Sequence, residues 1–142
     1  MKDAFSQFSD EQAVTASAAS TNHLNLGAAK TPPGAPAAVV RDIGGGNNQP
    51  IEVEVTEAFA TLTSLTVNVE VDDNSSFTSA KTVATSGAIA AADMVVGYKF
   101  PISMVPPGAN EQFMRLNYVV AGSNATAGKI TAGLVFGRAT NG

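Results

Sequence analysis

The chain contains no cysteine, no tryptophan and a single histidine. Without cysteine there is no disulfide, no thiolate metal site and no Cys nucleophile. Without tryptophan a sugar-stacking surface has lost its best side chain. Charge is also scarce, at 14% of residues, where globular domains carry about a quarter. Lys and Arg together number only 8 against 12 Asp and Glu, for a net charge of -4. Those cations are scattered, whereas a nucleic-acid binder clusters them to neutralise phosphates, so no nucleic-acid partner is expected. No apolar run approaches membrane-spanning length. The opening MKDAFSQFSDEQAV has no apolar segment of the signal-peptide kind, so no membrane partner and no secretory route is expected. The sequons at Asn74 and Asn124 then read as chance in a chain rich in Ser, Thr and Asn.

At 142 residues the chain has the length of one domain. Its strongest pattern runs from Ile51 to Val71. Ile51, Val53 and Val55 alternate with Glu52, Glu54 and Thr56. Leu65, Val67, Val69 and Val71 then alternate with Thr66, Asn68 and Glu70. Successive strand side chains point to opposite faces, so each run is a half-buried antiparallel strand with one wet face. Phe113–Ala121 and Lys129–Phe136 form a second clear pair. Gly122–Gly128 lies between them as a turn signal, so the two are expected to pair as a hairpin. Met114, Leu116, Tyr118 and Val120 fall on one face of the first.

Weaker strands are expected within Gln12–Gly27, at Val39–Ile43, at Thr82–Thr85 and at Tyr98–Met104, where Pro101 implies an edge or bulge. Ser86–Val96 has room for a single helical turn. Pro32, Pro33 and Pro36, Gly44–Asn48, Asp72–Ser76 and Pro106–Asn110 mark turns or loops. Many short strands with Gly/Pro turns predict an all-β antiparallel sandwich, a jelly roll ahead of an immunoglobulin-like one. The expected divisions are an extended N-terminal arm at residues 1–11, one sandwich domain at 12–137 and a loose tail at 138–142. Phe5 and Phe8 are the candidate anchors by which the arm reaches a neighbouring subunit.

Catalytic and metal motifs fail one by one. His23 would have to serve any Ser-His-Asp triad, yet there is no G-x-S-x-G elbow. Glu52 and Glu54 could be a paired-carboxylate site, but carboxylates on a wet strand face ordinarily keep a sheet soluble. Asp72–Ser76 lacks the spacing of a calcium loop and reads as a turn with Asx hydrogen bonds. Gly44–Gly46 is followed by no G-K-[ST], so it makes no phosphate cradle. The aromatic residues lie in or beside strands and read as core. No catalytic residue, cofactor or metal is expected, and the chain reads as structural rather than enzymatic.

Several segments, in order, resemble one known family. They are FSDEQAVTASAASTNHLNLG, the Arg41–Gly44 stretch, IEVEVTEAF, SGAIAAADMVVGYKFPI and PPGANEQFMRLNYVVAGSNATAGKITAGLVFG. Together they are similar to the capsid cement proteins of tailed phages typified by a Bordetella phage. The resemblance implies a jelly-roll decoration protein on the outside of an HK97-fold shell. Its partners would be the phage major capsid protein and further copies of itself, as a dimer rather than a trimer. Assembly would take place in the bacterial host cytoplasm and the protein would reside in the virion. The Thr31–Pro36 and Gly44–Pro50 loops look long for the family pattern, so no contact residues are carried over there. The alternatives are a carbohydrate-binding jelly-roll module or a low-copy head or tail structural protein.

Overall fold

A computed structural model describes residues 2–26, 31, 33–37, 50–102, 105 and 110–135, with the side chains of residues 2–6 and 135 outside the description. The fold is all-β and antiparallel. Among the described residues the strands are β1 (Lys2–Ala13), β2 (Ala18–Ala19), β3 (Leu24–Asn25), β4 (Ile51–Asp72), β5 (Lys81–Thr85), β6 (Ile89–Ala90) and β7 (Phe113–Val135), with one 3-10 turn at Ala91–Asp93.

β4 and β7 are the frame. They pair antiparallel along almost their whole length, from Ile51↔Leu134 to Asp72↔Phe113. Both bend at the middle. In β4 the register slips repeatedly between Val55 and Ser64, and Thr61 takes a φ of 82°. Extra residues of this kind kink a strand and increase its twist. In β7 the bend carries Gly122 and Gly128, both at positive φ. The two expected strands of Ile51–Val71 are thus one bent strand, and so are Phe113–Ala121 and the described part of the second expected strand, Lys129 to Val135. The expected hairpin within 113–136 does not form, because both halves pair with β4 instead. Gly122–Gly128 is a corner in one strand, which its glycines permit as readily as a reversal.

The bend splits the pairing into two layers. In one, β1 flanks the C-terminal half of β7, which flanks the N-terminal half of β4, which in turn pairs through Glu54 with the segment around Lys99. In the other, β2 and β3 flank the N-terminal half of β7, and the C-terminal half of β4 carries β5 and β6. The β1–β2 link, both bends and the β6-to-Lys99 link each cross between layers, which is the jelly-roll arrangement.

The alternation explains the core. Val53, Val55, Leu65, Val67, Val69, Val71, Met114, Leu116, Tyr118, Ile130 and Ala132 are buried in one hydrophobic cluster that draws on both layers. The Tyr118 hydroxyl meets Ser9 Oγ at 2.7 Å, a bond between the facing layers. Ser9 in turn donates to Gln12 Oε1 at 2.6 Å, so the buried hydroxyls are satisfied as burial requires. Burial pushes the Tyr118 phenol well above its usual range, and the Ser9 bond only partly offsets this. Its folded pKa exceeds the unfolded value of about 10, so the neutral phenol stabilises the fold below that pH and the contribution is lost above it. In a Tyr98→Phe background, the remaining tyrosine should ionise only as the chain unfolds in alkali. Simultaneous recording of tyrosinate absorbance and circular dichroism checks this.

The expected N-terminal arm is not free of the domain. β1 pairs with β7 from Lys2↔Val135 to Ala13↔Lys129. Phe8 is fully buried in the chain's own core, so its ring has no surface to offer a neighbour. Phe5 lies in the same strand, but its side chain is outside the described residues. Val39–Ile43, Gly44–Asn48 and the 138–142 tail also lie outside them. The expected strand at Thr82–Thr85 is β5, and the single helical turn within Ser86–Val96 is the 3-10 turn.

At Gly128 a Cβ would overlap the Phe59 ring, and its φ of 141° already disfavours any side chain. Gly128→Ala is expected to cost at least about 2 kcal/mol through combined overlap and backbone strain, measurable as a drop in thermal midpoint.

Candidate interaction surface

These four links meet at one end of the sandwich and are bonded to one another. Ala125 N–H donates to Thr15 O at 2.8 Å, tying the β7 bend to the β1–β2 link. Thr61 and Thr126 share a hydroxyl–hydroxyl bond between the two bends. Phe59 N–H donates to Met94 O at 3.2 Å, tying the β4 bend to the segment after the 3-10 turn.

Many of the exposed residues at this end are small and uncharged, with Asp93 exposed among them and the Glu57–Lys129 ion pair at its margin. The small ones include Thr15 and Ser17, Ala60 and Thr63, Ala90 and Ala92, and Ala121 to Asn124. From this surface project Val95 and Val96, 57% and 67% exposed. Their loop is held firmly. Met94 beside them is fully buried. Met94 N–H donates to Ala91 O, Val95 N–H to Asp93 O and Tyr98 N–H to Val95 O. Gly97 closes the turn at a φ of 91°. Two adjacent apolar side chains on a braced loop, in a field poor in charge, have the composition of an interface centre. The sequence signal was SGAIAAADMVVG itself, an apolar run too long for its single helical turn.

The residues singled out from sequence sit elsewhere. Glu52 and Glu54 occupy the wet face of the first layer. Glu52 accepts from Lys99 Nζ at 3.1 Å, and this carboxylate holds the Lys99 ammonium above its ordinary range. Glu57 accepts from the Gly128 amide at 3.2 Å and lies 3.6 Å from Lys129 Nζ. The Asp72 loop is an Asx turn. One Asp72 oxygen accepts from Asn74 N–H at 3.1 Å and the other from Ser79 N–H at 2.8 Å. Burial alone would raise the Asp72 carboxyl, but the Ser79 amide, the Asp73 side chain and the Asn74 amide together outweigh it and hold it below the usual range. Asp73 is raised by its hydrogen bond to Asp72 and by the adjacent charge. Among the described residues no group of His, Asp and Glu is arranged to hold a metal ion.

His23 packs edge-on against Phe77 and Phe113, with ring centres 5.8 and 5.5 Å away. Phe77 also carries the Arg115 guanidinium over its face at 4.3 Å. Arg115 Nε donates to Glu70 at 2.9 Å, and the other Glu70 oxygen accepts from Asn117 Nδ2 at 3.1 Å. Alternation puts Arg115 and Asn117 on the face opposite Met114, Leu116 and Tyr118, and Glu70 on the face opposite Val69 and Val71, but carries no sign that Phe77 joins them. Phe77, which stacks on Arg115, has a backbone φ of 51°.

A scan of protein families matches the Bbp16 family over residues 8–134. The chain belongs to the Bbp16 family. This is a Bordetella phage protein family, and it makes the chain a phage structural protein. The Bbp16 span runs from Phe8 in β1 to Leu134 in β7 and so takes in both layers of the sandwich. A search of curated proteins found none that matches. Among the described residues no helix is long and apolar enough to cross a membrane.

Proposed function

We propose that this protein is a non-enzymatic cement, or decoration, protein. It binds the outside of an HK97-fold phage shell and bridges joints between copies of the major capsid protein. The observation that carries this reading is the crossing end, where Val95 and Val96 stand on a braced loop among small uncharged residues. Bbp16 membership supports the phage setting. The jelly roll supports a rigid spacer, because its layers are locked by a shared core and a buried hydroxyl bond.

Cement works by burying surface across a joint that the shell leaves weak. A standard protein–protein interface buries roughly 1,600 Å². Affinity then depends on a few anchors more than on area. Side chains held in place before contact lose little entropy on binding, and small neighbours let the partner's backbone come close. Icosahedral repetition multiplies a modest gain per copy over the whole particle. The same logic favours association with a second copy, as a dimer, since two linked copies gain avidity on a symmetric shell.

The test is addition of the purified protein to shells that lack it, followed by sedimentation and thermal challenge of the particles. Saturable binding at a ratio set by the shell's symmetry, with a higher temperature of particle disruption, is the expected result. Absence of binding would overturn the reading.

A further inference from the structure

A protein that bridges a joint needs a second grip away from the first, and the outer face of the second layer carries a side chain built for one. We infer that Arg115 receives a carboxylate from the neighbouring shell subunit, an inference that rests on the cement reading above. Arg115 sits near the start of β7, toward the end of the layer away from the Val95–Val96 loop and the four links beside it.

Three observations argue for this. The guanidinium is fixed in plane by Phe77, 4.3 Å from its ring centre. It is fixed in rotation by the Nε bond to Glu70, whose second oxygen is spent on Asn117. Its two terminal amino groups have no acceptor among the described residues, while the side chain keeps 23% of its exposure. A planar fork whose orientation is already determined, with one edge open, matches a carboxylate in bidentate fashion and loses little freedom on binding. The Glu70 charge beside it disfavours a multiply charged phosphate over a singly charged carboxylate. Phe77 is held in a left-handed backbone conformation to supply the stacking face, a local strain of the sort found at binding sites.

The test compares wild type and Arg115→Lys for binding to purified shells lacking the protein, with thermal unfolding and sedimentation of the free protein alongside. Lysine keeps the charge facing Glu70 but loses the planar fork. The expected result is an affinity drop of about tenfold or more, with the free protein folded and its self-association unchanged. If the lysine variant does not fold, the Arg115→Gln/Glu70→Gln double variant removes the pair without stranding a charge, and the same loss is expected. Wild-type affinity in a folded variant would overturn the Arg115 grip alone. A change in self-association without a change in shell binding would also overturn it, by assigning the carboxylate to a second copy. Failure of the wild type to bind shells would bring down the cement reading, and this inference with it.

Discussion

Phe8→Ala is expected to lower stability by about 3–5 kcal/mol, the range for truncating a fully buried aromatic. Phe8 has no exposed surface and packs in the cluster shared by both layers. Its carbonyl also accepts from Asn22 N–H at 2.9 Å, which joins β1 to the approach to β3. The neighbouring Ser9 makes the inter-layer bond to Tyr118. Deleting Met1 to Asp10 removes this ring, that bond and most of an outer strand together, so the shortened chain is expected not to fold cooperatively. An arm that merely reached a neighbour would behave oppositely, losing partner binding while melting like wild type. Chemical denaturation of Phe8→Ala, with its midpoint compared at unchanged m-value, separates the two. A midpoint within error of wild type would contradict the placement of β1 in the core.

The Val95→Asp/Val96→Asp double variant is expected to lose at least about 100-fold in shell affinity while its own thermal midpoint hardly moves. Burying a valine fully contributes about 1.5–3 kcal/mol, and desolvating an unpaired carboxylate adds a further penalty. Even about 3 kcal/mol in total corresponds to roughly 100-fold. The fold should tolerate the change because both side chains already face solvent, and exposed substitutions usually stay within about 0.5 kcal/mol. The anchoring residue Met94 and the backbone bonds of the loop are untouched. Binding of the double variant at wild-type affinity, with intact folding, would remove the crossing end from the interface.

Much of this fold was legible in the sequence because it rests on period-two alternation. Ile51 to Val71 and Met114 to Tyr118 bury the side chains that the pattern assigned inward. Alternation is local, however, and does not say which strand pairs with which. Gly122–Gly128 carries the residues of a hairpin turn, yet β4 supplies a partner for both flanking halves, and the stretch becomes a corner. Phe8 was misplaced for a related reason. A polar segment with two aromatics fits a docking arm and an outer strand equally well until the opposite strand is known. The interaction surface was the least legible part. Val95 and Val96 look like core in sequence. Only the brace formed by Met94, Gly97 and the 3-10 turn turns them outward. Arg115 and Phe77 lie far apart in the chain, and Phe77 has an unusual backbone conformation that composition does not announce.

The most direct measurement is the copy number of this chain in purified virions, quantified against the major capsid protein. A cement predicts a ratio near one to one, or another simple fraction fixed by icosahedral symmetry. A handful of copies per particle, or none, would contradict it, the first pointing to a tail or vertex component and the second away from any role in the particle.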